Sequence, residues 1–247
     1  MKELRDRVAI VTGAGSGIGR AIAECFAAEG VKVVLAARRQ ETLNEVAREI
    51  ATAGGEAIVV PADVTKERDV AALFAKARET FGRVDILVNN AGMANFKPTE
   101  ETTLAEWEQV IDVNLTAVFL CSREAVKIMK AQGGGRIVNI GSIAGEAPRP
   151  HAMSYNTTKA AVEGLTRSLT LDGRGYGVVA SIIHPGAAAT GFTKGRLPGP
   201  GPTPQDYLMA PEQIARVALL MCTLPPEVNL FEATILPNHQ PSFIGRG

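Results

Sequence analysis

The sequence predicts a single-domain, doubly wound α/β fold, with a parallel sheet flanked by helices, on three observations. Short β-branched runs alternate with longer stretches of helical periodicity along the chain. Several of these runs are apolar almost throughout, the pattern of strands covered on both faces. Glycines fall just past the helical stretches, at Gly30, Gly54, Gly82 and 133–135, where a left-handed residue often closes a helix. Strand–helix alternation of this kind implies parallel strands joined by right-handed crossovers.

In chain order, strands are expected over 8–11, 31–37, 57–60, 86–89, 136–140, 178–183 and 233–236. Helices are expected over 18–29, 67–81, 103–131, 155–171 and 211–223. A further helix carries Leu43, Val46, Ala47 and Ile50 at i, i+3, i+4, i+7, which marks one buried stripe. Residues 191–204 break the rhythm with repeated Gly and Pro, and no regular element survives that composition. The segment follows a strand's carboxyl end, where such folds bind ligands. A substrate lid over 190–210 is the reading preferred to a solvated spacer.

With 247 residues, 46% of them hydrophobic, the chain has ample material for a core. Lys+Arg and Asp+Glu are both 26, so no overall field draws the protein to nucleic acid or to an anionic membrane. Cys25, Cys121 and Cys222 are odd in number, far apart and free of any C-x-x-C pairing. That argues against a disulfide framework and a zinc site, fits a reducing compartment, and reads each as a buried small hydrophobe. No secretory h-region precedes the first strand, and no apolar run approaches a bilayer span, so a cytoplasmic protein is expected.

The first strand runs into Thr12-Gly13-Ala14-Gly15-Ser16-Gly17-Ile18-Gly19-Arg20 before a helix. Glycines allow a tight turn and close backbone approach to a pyrophosphate, and the helix N-terminus offers free N–H groups. The spacing Gly13-x-x-x-Gly17-x-Gly19 lacks the Lys-Ser/Thr ending of a Walker A loop, which argues against an ATPase. The second strand ends Ala36-Ala37-Arg38-Arg39. NAD-specific sites put a carboxylate here for the ribose 2′-OH. Ala37 takes that position, and Arg38 and Arg39 would welcome a 2′-phosphate, so NADP(H) is preferred over NAD(H). Asp63, before Val64, either accepts from the adenine amino group or caps the next helix. Asn89-Asn90-Ala91-Gly92 follows the fourth strand, where small residues let a ligand pack on the backbone.

Ser142, Tyr155 and Lys159 form the sharpest constellation. Tyr155 and Lys159 sit at i and i+4 on one helix face. A tyrosine of pKa about 10 is a poor base at neutral pH, and a nearby ammonium favours its phenolate. Ser142 would hydrogen-bond a substrate oxygen while Tyr155 exchanges its proton and Lys159 grips ribose hydroxyls.

Taken in order, these pieces resemble a short-chain dehydrogenase/reductase of the roughly 250-residue, Rossmann-fold type. They are the glycine turn, Asp63-Val64, Asn89-Asn90-Ala91-Gly92, Asn114, Ser142, Tyr155-Asn156-Thr157-Thr158-Lys159, and Pro185-Gly186 with Thr190. The resemblance implies that Asn114 holds a water in a proton relay through Lys159. It also implies that Pro185, Gly186 and Thr190 contact the nicotinamide side, and that Trp107 and Tyr155 lie on helices that pair into a homotetramer or homodimer. Ala188 replaces the family's frequent Val or Ile, which implies a looser nicotinamide contact. The tail is closer to the serine and 3-hydroxy acid dehydrogenase branch, which points to small polar substrates. Arg149 and His151 either bind a substrate carboxylate or are loop surface.

The expected function is hydride transfer between NADP(H) and a secondary alcohol/carbonyl substrate, with no nucleic-acid or membrane partner and no metal. Alternatives are a 3-oxoacyl reductase, an NAD-dependent alcohol dehydrogenase or a non-catalytic NADP-binding regulator. An epimerase or dehydratase is disfavoured because the chain lacks Thr-Gly-x-x-Gly-x-x-Gly and a longer substrate domain.

Overall fold

The computed structural model describes residues 4–191 and 208–238. Its strands are β1 (Val8–Thr12), β2 (Lys32–Ala37), β3 (Glu56–Pro61), β4 (Ile86–Asn89), β5 (Gly135–Ile140), β6 (Val178–Pro185) and β7 (Glu232–Ile235). They form one sheet in the order β3-β2-β1-β4-β5-β6-β7, and every pairing is parallel. The helices are α1 (Gly17–Ala28), α2 (Gln40–Thr52), α3 (Glu67–Phe81), α4 (Leu104–Ile111), α5 (Ala117–Gln132), α6 (Met153–Gly173) and α7 (Pro211–Thr223).

β1 shows why the strands read as apolar throughout. Successive side chains point to opposite faces. Ala9 and Val11 join one core with Ile22 and Phe26 of α1 and Ile214 and Met221 of α7. Val8 and Ile10 join the other, with Leu73 and Phe74 of α3 and Cys121 and Met129 of α5. Each of the larger side chains contributes about 1.5–3 kcal/mol by leaving water. The strand order reverses between β1 and β4, so a crevice opens at their carboxyl ends.

The single helix expected over 103–131 is two helices. Thr103 caps α4, accepting from Glu106 N while the Glu106 carboxylate accepts from Thr103 N. A π-helical turn, Asp112–Thr116, then separates α4 from α5. Apolar residues continue through the turn, so periodicity conceals the extra residue that a π turn absorbs. Cys121 and Cys222 are buried as expected, and burial pushes both thiols up to about 12. Cys25 is only half-buried, a correction to its expected place. The proposed lid falls largely on 192–207, outside the described residues.

Asp85 anchors the amino end of the sheet. Its carboxylate accepts from Val8 N at 2.9 Å, from Arg7 at 2.9 Å and from Arg83 at 2.8 and 2.6 Å. Burial opposes ionisation, but the bonds from Arg83, Val8 and Arg7 outweigh it and hold the carboxyl below its usual value. A depressed carboxyl contributes stability above its unfolded pKa, and that stability is lost as pH falls through the folded value. Asp85→Asn should therefore destabilise the fold by about 1–3 kcal/mol at neutral pH. The gap from wild type should narrow below about pH 4, as urea melts over a pH series would show.

Candidate active site

The turn from β1 to α1 needs its glycines for geometry. Gly13 and Gly17 have φ of 65° and 55°, where side chains are strained. A Cβ on Gly19 would lie 2.3 Å from Asn90 Nδ2 and 2.4 Å from the Gly13 carbonyl. Ser16 is the N-cap of α1 but makes no side-chain capping bond, and no acidic residue lies in the first turn. The leading N–H groups and the helix dipole therefore suit a phosphate anion. This is the fit expected of a dinucleotide site.

The turn is braced from β4. Thr12 Oγ1 accepts from Asn90 N at 2.9 Å and from Ala91 N at 3.1 Å. Asn90 Nδ2 donates to the Thr12 carbonyl at 2.9 Å and to that of Gly13 at 3.3 Å. Asn90 thus acts first as a brace. Beneath it, buried Asn89 Nδ2 donates to Ser122 Oγ and Asn139 Oδ1, and Asn139 Nδ2 donates to Thr166 Oγ1. This network ties β4 and β5 to α5 and α6.

One end of the crevice, about 490 Å³, is lined by Gly13, Ser16, Arg38, Arg39, Asp63 and Val64, among others. Arg38 and Arg39 are exposed, and among the described residues neither forms an ion pair. Asp63 does not cap α3; Lys66 holds that position. Instead Asp63 Oδ1 accepts from Thr65 N at 3.1 Å and from Thr65 Oγ1 at 2.7 Å, an Asx turn at the end of β3. Burial opposes ionisation of Asp63, but the Thr65 bonds and the charge of Arg38 hold it below the usual carboxylate value.

The other end, also about 490 Å³, shares Gly13, Ser16, Arg39, Ala91 and Gly92 with the first. Gly17, Ile18, Asn90, Ser142, Tyr155, Lys159, Pro185, Gly186 and Thr190 line it. Thr190 meets the glycine turn, where a Cβ on Gly17 would lie 3.1 Å from its methyl. Of the predicted site residues, Gly19 and Asn114 sit behind these walls. Arg149 lines this end and His151 does not. Ala188 is buried and bridges to Met209.

Ser142 lies two residues beyond β5 and caps a short 3-10 turn, its Oγ accepting from Ala144 N at 3.1 Å. Tyr155 lies in the first turn of α6, 6.4 Å ring to ring from Phe96. Lys159 Nζ lies 5.7 Å from the Tyr155 ring centroid and donates to the Ile140 carbonyl at 2.8 Å. Burial lowers the Lys159 pKa to about 8. Burial also raises that of Tyr155, and the Ser142 hydrogen bond and the charge of Arg149 offset this only in part. Desolvation is thus the largest influence on both groups in the cofactor-free protein.

Asn114 lies in the π turn, fully buried. Its Oδ1 accepts from Met93 N, and its Nδ2 donates to the Met93 carbonyl, both at 2.8 Å, and to Thr158 Oγ1 at 3.1 Å. Thr158 in turn donates to the Tyr155 carbonyl. The Asn114 side chain therefore ties the irregular segment following Gly92 to the base of α6.

The short chain dehydrogenase family model matches residues 7–199. The chain belongs to this family. An uncharacterized oxidoreductase of Staphylococcus aureus (strain MRSA252) is 38% identical over 237 residues, covering 96% of this chain and all of the relative. The alcohol dehydrogenase of the archaeon Thermococcus sibiricus, complexed with 5-hydroxy-NADP, has TM-score 0.86 and 31% identity, over 95% of this chain and 97% of that one. A 7α-hydroxysteroid dehydrogenase complexed with NADH and 7-oxo glycochenodeoxycholic acid has TM-score 0.88 and 32% identity, over 96% and 95%. The short-chain dehydrogenase is accordingly an oxidoreductase with the parallel-sheet Rossmann-like fold. Among the described residues, no helix is long and apolar enough to cross a membrane.

Sequence reasoning placed Thr12 in the glycine turn without its bracing role, and missed Phe96, Asn139 and His184. Asn139 and His184 carried a usable signal, as polar residues within largely apolar strand runs.

Proposed function

We propose that this short-chain dehydrogenase moves hydride between NADP(H) and a secondary alcohol/carbonyl substrate. The observation that carries the reading is one crevice that puts Ser142, Tyr155 and Lys159 beside the glycine turn and the exposed Arg38 and Arg39. Gly13, Ser16, Gly17, Ile18 and Gly19 would receive the pyrophosphate, Arg38 and Arg39 the 2′-phosphate, and Asp63 and Val64 the adenine. Asn90, Ala91, Gly92, Pro185, Gly186 and Thr190 would line the inner part, where bound nicotinamide supplies or accepts the hydride.

Ser142 would orient the substrate oxygen, and Tyr155 would give or take the hydroxyl proton at Oη. A phenol raised by burial is held protonated, the form that donates to a carbonyl during reduction. Lys159 would hold ribose hydroxyls and, when charged, favour the phenolate needed for oxidation. Asn114 would serve the relay by fixing the base of α6 beside Lys159. Arg149, whose backbone carbonyl and N–H are held by Asn156, sets a positive charge beside Tyr155 and favours substrates with an anionic group.

NADPH oxidation across ketones, aldehydes, 3-oxo esters and oxo acids tests the reading. Turnover with at least one carbonyl class supports it; none, with the cofactor bound, favours a non-catalytic NADP-binding protein. A homodimer or homotetramer through the α4–α5 and α6 faces is part of the proposal, supported by exposed Leu104, Phe119 and Leu171.

Lys159→Met should end turnover yet stabilise the cofactor-free protein. A lysine lowered to about 8 from 10.5 is penalised fully below pH 8, and the penalty fades between those values as pH rises. Allowing for the lost Ile140 bond, the gain at pH 7 is about 2 kcal/mol. Thermal melts at pH 7 and 10 should show the variant's advantage shrink.

A further inference from the structure

We propose that Glu146, Glu163 and His184 form a binding site for a divalent transition-metal ion of the Zn²⁺ class. His184 lies in β6, 1% exposed. Its Nδ1 is 3.2 Å from the Ser142 carbonyl, an atom that can only accept, so Nδ1 carries the proton. In the neutral ring Nε2 then carries the lone pair. Among the described residues, that Nε2 is the one buried side-chain nitrogen or oxygen without a hydrogen-bond partner. Leaving such an atom unsatisfied costs about 1–3 kcal/mol, so it calls for a ligand.

Carboxylates lie close to the imidazole. One ligand atom each from Glu146, Glu163 and His184 lies within 4.8 Å of the others. Glu232 Oε1, on β7, is 3.7 Å from His184 Nε2. Arg167 is the cation among them, donating to Glu163 Oε1 at 2.6 Å and lying 3.7 Å from Glu232. Three carboxylates against one guanidinium leave a net negative field. Glu146, just beyond the 3-10 turn, forms no ion pair among the described residues.

One imidazole with carboxylates suits Zn²⁺ and its neighbours better than Mg²⁺. Zinc bonds of roughly 2.0–2.2 Å draw donors closer than 4.8 Å, and exposed Glu146 can close that gap by rotating. The Nδ1–H bond to a backbone carbonyl is the outer-shell partner that fixes a metal-ligating histidine's tautomer. Here the carbonyl belongs to Ser142, and a Cβ on Gly141 would lie 2.8 Å from His184 Nδ1. The ion would therefore brace the segment just after β5 that carries Ser142. The site lies outside the crevice lining, and it does not rest on the reading of the substrate or cofactor.

The test is titration of tag-free, EDTA-dialysed protein with Zn²⁺ alone, by calorimetry and thermal melts. One saturable equivalent that raises the melting temperature is expected, with no comparable response to Mg²⁺. His184→Asn keeps a donor for the Ser142 carbonyl and removes Nε2, and Glu146→Gln changes an exposed residue. Each should weaken Zn²⁺ binding by about 10–100-fold. His151→Asn should leave it unchanged. If His184→Asn fails to fold, Glu146→Gln and Glu163→Gln decide. No saturable binding, or binding undiminished in the variants that fold, overturns the proposal.

Discussion

Tyr155→Phe is expected to lower turnover by about 10³-fold or more, at the upper part of the range for losing a general acid–base group. NADPH affinity should stay within about threefold of wild type, because the lost oxygen serves the reacting centre rather than uniform cofactor binding. The substitution is selective because it leaves the ring. The aromatic contact with Phe96 and the Thr158 bond to the Tyr155 carbonyl do not depend on Oη. Burial keeps the tyrosine proton on, so reduction should hold its rate up to alkaline pH and fall only as the phenol ionises. The phenylalanine variant should lose that limb of the profile together with the rate. Stopped-flow cofactor binding alongside steady-state assays separates the two effects. Turnover retained in the variant would remove Tyr155 from the chemistry.

Much of this was legible in the sequence because the signals are local. Strand runs such as Val33 to Ala36 are apolar since both faces are covered, and their order and type follow from that. The glycine turn was legible because a tight strand-to-helix turn restricts residue type, as the clash at Gly19 shows. What escaped depends on distant contacts. The π turn at Asn114 follows from bonds to Met93 and Thr158, 21 and 44 residues away, and no local periodicity reports them. The burial that shifts Tyr155 and Lys159 escaped for a related reason. Their i, i+4 spacing predicts a shared face, but desolvation depends on what packs over that face. Asp63 was open between two readings, and the Asx turn with Thr65 removes the capping one. The approach of Glu146, Glu163 and His184 comes from α6 and β6 packing side by side, a juxtaposition set by topology alone.

Arg38→Ala is expected to weaken NADPH binding by about 10–150-fold, the equivalent of one charge-assisted hydrogen bond of roughly 1.5–3 kcal/mol. NADH, lacking the 2′-phosphate, should change by less than about threefold on the same reasoning. The ratio of the two effects is the informative quantity, since damage to the turn or to α2 would weaken both cofactors alike. The geometry favours a large ratio. Arg38 follows β2 directly, its strand ends in Ala37 rather than a carboxylate, and no ion pair among the described residues engages its guanidinium. Among the described residues, a phosphate would therefore displace no ion-pair partner of Arg38. Because Arg38 is exposed, the contribution should also shrink as salt rises, with a screening length of about 8 Å at physiological ionic strength. Arg39 remains in the variant and keeps part of the attraction, so Arg38→Ala combined with Arg39→Ala should approach indifference between the cofactors. Equal losses for NADPH and NADH in the single variant would contradict a 2′-phosphate contact at this position.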